Sequence, residues 1–179
     1  MPMKKSFRVA FCGLISALAL ALMLLTSIIP VGTYAFPCLA GILLVAVVIE
    51  FGEKWALGAY AAVSLLSLFL AGDKEAVVYF IAFLGYYPIV KSYIERLRST
   101  VLQYVIKYAV FTVCMIGAFL VCKFILAIPD EEFTFFGFYI PWALLAAAEL
   151  TFIVYDKAVT AVVYRYVTSI RNKIFKTKY

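Results

Sequence analysis

The chain has 179 residues, of which 66% are hydrophobic and 15% charged, with a formal charge of +6 and no histidine. Its mean hydropathy is +1.05. So few charges cannot cover the surface of a water-soluble domain of this length, whereas lipid accepts apolar side chains on the outside. Without histidine there is no His-based triad, proton shuttle or His metal ligand, and the Lys and Arg sit between or beyond apolar stretches rather than in a nucleic-acid footprint.

Residues 1–8 are positive and precede an apolar run, as in a secretory signal. That run, Val9–Ile29, is about 21 residues, longer than the core of a signal, and more apolar runs follow; it is expected to remain as a first helix. The first helix is expected over Phe7–Ile29, stopping at Pro30-Val31-Gly32. The second, Pro37–Phe51, is short for a span and ends at Gly52. The third covers Trp55–Ala71 and is closed by Gly72-Asp73-Lys74-Glu75. The fourth, Ala76–Leu97, contains Gly85-Tyr86-Tyr87-Pro88, and a proline there should kink or loosen it. The fifth, Thr100–Ile128, would be ~43 Å long at ~1.5 Å per residue, so it should tilt or project into the interface. An acidic and aromatic loop, Pro129–Ile140, leads to a sixth helix over Pro141–Val167 and a basic tail. No linker, low-complexity segment or repeat is visible, so residues 1–179 are expected to form a single transmembrane domain: an all-α integral membrane protein, a bundle of six transmembrane helices.

Orientation follows from charge. With the N-terminus inside, the cytoplasmic segments hold Lys4, Lys5, Arg8, Lys54, Lys91, Arg96, Arg98, Arg165, Arg171, Lys173, Lys176 and Lys178, and the outer loops hold Lys74. That bias places both termini in the cytoplasm and requires an even number of spans. The expected location is a bacterial cytoplasmic membrane.

Five charged residues fall inside expected spans: Lys107, Lys123, Glu149, Asp156 and Lys157. Such residues are functional candidates because burying a charge at mid-bilayer is costly. Lys107 is shallow enough to snorkel to the inner surface, and Lys157 is less certain to reach it; both read as anchors. Lys123 and Glu149 lie in the outer halves of consecutive antiparallel helices, where they form either a structural ion pair or part of a polar solute pocket. Asp156, two turns below Glu149, either pairs with Lys107 or serves as a proton site.

Aromatic residues gather toward the outer side, among them Tyr34, Tyr79 and Trp142. They make either an interfacial belt or the lining of a pocket. The run Phe133–Tyr139 is too rich in phenylalanine to sit in water and should fold over the bundle or a ligand. Gly13, Ala17 and Ala21, extended by Ala10, recur on one face of the first helix, and small residues so spaced let another helix approach closely. Cys12, Cys38, Cys114 and Cys122 form no CxxC and read as small packing residues. There is no GxxxxGK[ST], HExxH or GxSxG, so no enzyme, metal or cofactor is expected.

Six helices in a chain of this length, with cytoplasmic ends, no ATPase motif, and Ala17 and Ala21 within Ser16-Ala17-Leu18-Ala19-Leu20-Ala21, resemble the substrate-binding S component of energy-coupling factor (ECF) vitamin transporters. The resemblance is architectural and spans nearly the whole chain. It implies that the alanine pair docks on a transmembrane coupling subunit, that ATPase subunits drive transport, and that the loop Pro30–Phe36 helps cover the solute. Tyr34, Tyr79 and Trp142 would then stack on a vitamin-like molecule taken from outside, with Lys123 or Glu149 meeting its charged group. Gly85-Tyr86-Tyr87-Pro88 has no counterpart in that pattern. Two further readings stand beside it: a self-sufficient proton- or ion-coupled transporter or channel using Glu149 or Asp156, and a non-transporting membrane scaffold.

Overall fold

The computed structural model describes residues 5–29, 32–126, 134–135, 138–139 and 141–171, with the side chains of all but 134–135, 138–139, 141–144 and 170. Among the described residues six helices build the fold: α1 (Lys5–Leu25), α2 (Ala35–Phe51), α3 (Glu53–Leu70), α4 (Lys74–Ile94), α5 (Thr100–Phe124) and α6 (Pro141–Arg165). A π-helical turn, Tyr166–Ile170, prolongs α6. Between α5 and α6, Thr134 pairs with Tyr139 and Phe135 with Phe138 as a short antiparallel ladder, β1 (Thr134–Phe135) and β2 (Phe138–Tyr139).

Four helices, α1, α3, α4 and α5, are long and apolar enough to cross a membrane. The other two differ for identifiable reasons. α2 has 17 residues, only ~26 Å at ~1.5 Å per residue, and α6 carries Glu149, Asp156 and Lys157 along its length.

α1 buries Cys12, Ile15, Ala19 and Met23, a three- and four-residue spacing that makes one stripe. α3 does the same with Ala56, Ala59, Val63 and Ser67. α2 is apolar all round because it lies in the middle, packing on α1, α3, α4 and α6. Its Ala40, Leu44 and Val47 join the core shared with α1 and α3, while Val45 belongs to a second core formed with α4, α5 and α6. Away from these cores the surface is apolar, with Leu14, Leu18, Leu65, Phe69, Val113 and Val154 exposed.

Helix ends depart from expectation where local hydrogen bonding intervenes. α1 stops at Leu25, not Ile29, because Ser27 and Ile28 wind into tight turns on the Leu24 and Leu25 carbonyls. α4 stops at Ile94, not Leu97, since Arg96 and Leu97 close turns on Tyr93 and Ile94 before Ser99 caps α5. α5 ends at Phe124; residues 127–128 of the expected span lie outside the described residues. α2 and α3 are separated by Gly52 alone, whose φ of +85° is open to glycine and strained for other residues.

The loosening expected at Pro88 is present and has a clear chemistry. α4 is α-helical over Lys74–Tyr79, π-helical over Phe80–Leu84, and α-helical again over Tyr87–Ile94. Pro88 has no N–H to give the Leu84 carbonyl four residues back. That carbonyl instead accepts the buried hydroxyl of Tyr155 on α6 at 2.9 Å. On the other side, Tyr60 of α3 donates to the Ile81 carbonyl at 2.7 Å. Gly85-Tyr86-Tyr87-Pro88 is therefore a break in α4 that two tyrosines from neighbouring helices hold in place.

Candidate functional site

The two ends of the bundle are chemically different. At one end the α2–α3 turn, the end of α4 and the tail of α6 meet through acid–base pairs. Arg96 contacts Glu53, and the Arg171 Nε lies 3.2 Å from Glu50. Lys5, Arg8, Lys54 and Arg98 lie at the same end. At the other end the α1–α2 loop is tied to the start of α4. Ser27 Oγ accepts from the Gly72 amide at 2.8 Å, Thr33 donates to Asp73 at 2.8 Å, and Tyr34 donates to Glu75 at 2.9 Å. Asp73 also caps α4 through the Ala76 amide, while Lys74 turns back to cap the end of α3 on the Leu68 and Ala71 carbonyls.

This tie brings together two of the residues singled out in the sequence. The Tyr34 and Tyr79 ring centroids are 5.3 Å apart, with Glu75 beside them. Two of these ties end on carboxylates, where a hydrogen bond contributes about 1.5–3 kcal/mol, so the loop is held firmly against the start of α4.

Lys123 and Glu149 are placed apart. Lys123 lies in the last turn of α5. Glu149 sits against the Thr112 hydroxyl, about three turns away along the same helix. Thr112 is at the middle of α5, so Glu149 is deep in the bundle, and its Oε2 is buried with no hydrogen-bond partner among the described residues. The Trp142 side chain lies outside the described residues, as do the side chains of the aromatic run Phe133–Tyr139 and all of the basic tail beyond Arg171. Gly13, Ala17 and Ala21 all face outward, on the side of α1 opposite its buried stripe, and nothing lies within 4 Å of where a Gly13 side chain would begin.

Among the described residues the largest polar cluster is one that sequence reading only partly reached. Asp156 of α6 contacts Lys91 of α4, and its Oδ1 lies 3.2 Å from Lys107 Nζ of α5. Glu95 closes the other side, 3.1 Å from Lys91 and 2.8 Å from Lys107. Each lysine thus touches both carboxylates, giving a neutral four-membered ring of alternating charge. Tyr87 adds its hydroxyl to Asp156. Lys91 is 3% exposed and Lys107 4%, so the ring joins three helices inside the bundle, with Glu95 at its open edge.

Of the two roles left open for Asp156, the geometry shows the ion pair with Lys107. Lys91 was counted above only as a charge near a helix end. The signal that would have found it is its spacing: four residues before Glu95 and four after Tyr87, all on one helical face.

Much of the expected outer aromatic group, Phe133–Tyr139 and the Trp142 side chain, lies outside the described side chains. Among the described residues the densest aromatic packing is in mid-bundle, where Phe111 stacks on Phe152 at 4.5 Å and Phe83 meets both edge-on. Among the described residues no group of three Cys, Asp or Glu side chains is arranged to hold a metal. Compared with known proteins, the chain matches no protein-family model, no curated protein and no solved structure.

Proposed function

We propose that the chain is an integral membrane protein with six spans and both termini in the cytoplasm, and that it is the solute-binding subunit of an ECF-type importer. The apolar outer surface and the basic end opposite the Thr33–Asp73 tie support the membrane layout. The observation that carries the subunit reading is the outward face of α1. A helix side that meets only lipid has no need of small residues, yet Gly13, Ala17 and Ala21 make a flat strip there, suited to close approach by a coupling subunit.

On this reading a small vitamin-like solute enters from the side of the α1–α2 loop, where Tyr34 and Tyr79 offer flat rings and Glu75 a carboxylate. Trp142 and Lys123 remain candidates for the same pocket, whereas Glu149, about three turns deeper, would meet a solute only further along its path. ATPase subunits in the complex supply the energy.

The test is purification of the tagged chain from its native membrane. An ATPase-bearing complex should come with it, and Ala17→Trp with Ala21→Trp should remove that complex while leaving the thermal unfolding of the isolated chain unchanged. Solute transport by the purified chain alone in liposomes, without ATP, would overturn the proposal. That outcome belongs to the second reading, a self-sufficient proton- or ion-coupled transporter, which the buried Glu149 oxygen, without a hydrogen-bond partner among the described residues, favours.

A further inference from the structure

Beside the charged ring, between α5 and α6, lies a cavity of about 40 Å³ lined by Tyr104, Lys107, Tyr108, Phe152, Asp156 and Lys157, with Ile153 at its wall. Three of these side chains carry hydrogen-bond donors that have no acceptor among the described residues: the Lys157 ammonium and the Tyr104 and Tyr108 hydroxyls. Lys157 and Tyr104 are exposed on the outside of the bundle, so in a bilayer they face lipid. A cation there needs an anionic partner or a path to water.

The charges around the cavity can be added up. Lys107 and Asp156 line it, with Lys91 and Glu95 behind them, and these four cancel within the ring. Lys157 is left as an uncompensated positive charge. The cavity lies toward the basic end, about a turn or two inside the start of α5. A volume of about 40 Å³ has room for a few water-sized groups but not for a whole solute. A larger ligand would sit at the mouth and insert a small polar group.

We propose that this cavity is the head-group site of an anionic phospholipid, whose phosphate accepts from Lys157, Tyr104 and Tyr108 while its acyl chains run along α5 and α6. Tyrosine and lysine at the membrane interface suit this task, with apolar bodies in hydrocarbon and polar tips toward the phosphate. The proposal rests on the membrane layout and is independent of whether the chain takes up a solute.

Native mass spectrometry of the full chain in a nonionic detergent tests it, with phosphatidylglycerol, phosphatidylcholine and inorganic phosphate added separately. Phosphatidylglycerol should be retained, and Lys157→Gln should weaken that retention by about fivefold or more. Tyr104→Phe with Tyr108→Phe, which keeps both rings, should weaken it too. Lys54→Gln, at the same end but away from the cavity, should not. Equal retention of phosphatidylcholine, or undiminished retention of phosphatidylglycerol in both cavity variants, would overturn the site. Retention of inorganic phosphate without phosphatidylglycerol would overturn the lipid in favour of a soluble anion.

Discussion

Asp156→Asn is expected to destabilise the protein by about 3–5 kcal/mol, the usual cost of removing one partner from a buried ion pair. The change is nearly isosteric, so packing is preserved and the effect is electrostatic. Without that carboxylate, Lys91 and Lys107 keep two positive charges inside the bundle with only Glu95 between them. Glu95→Gln should cost much less, because Glu95 is 43% exposed and water can screen the change. Thermal unfolding of both variants in detergent checks the difference. Equal, small losses would mean that the ring does not hold α4, α5 and α6 together.

Gly41→Ala should be strongly damaging, at about 1–3 kcal/mol or more. A side-chain carbon at Gly41 would stand 2.6 Å from the Tyr155 hydroxyl and collide with the Leu84 carbonyl. The clash is with backbone, which cannot rotate away. It also falls on the one hydrogen bond that satisfies the carbonyl left over by Pro88. Tyr155→Phe removes that bond without a clash and should cost about 1–3 kcal/mol for a buried carbonyl left unpaired. Because both changes act on the same contact, the double variant should lose less than the two separate losses combined. Additive losses would show that Gly41 matters for some other reason.

The helices were legible in the sequence because each apolar run is long and bounded by Pro, Gly or charge. Gly52, Gly72-Asp73 and Pro141 mark ends that the structure places within a residue or two. Ends set by hydrogen bonding across short turns, as at Leu25 and Ile94, leave no such mark. The break at Pro88 could be foreseen from its missing N–H, but its repair by Tyr155 could not, since 71 residues separate donor and acceptor.

The same limit applies to the polar clusters. The sequence brought Asp156 to Lys107 as one of two options, because both lie at comparable depth on consecutive helices. It missed Lys91, whose position near a helix end resembles an ordinary interfacial lysine until the partner helix is in place. Tyr34 and Tyr79 were grouped by expected depth alone; their contact depends on how the α1–α2 loop folds over α4. Lys123 and Glu149 had been paired by a rule of neighbouring antiparallel helices, which says nothing of axial register. The structure sets Glu149 at mid-bundle against Thr112.

Which solvent surrounds the helices, and which way they point, can be read directly by labelling. Ile28, 74% exposed just beyond α1, and Lys54 and Arg98 at the basic end can each be replaced by cysteine in a chain whose four native cysteines have been removed. In intact cells a membrane-impermeant maleimide should react with the cysteine at position 28, and reach positions 54 and 98 only after the membrane is opened. Labelling of 54 and 98 from outside, with 28 protected, would invert the bundle and turn the tyrosine pair away from any external solute.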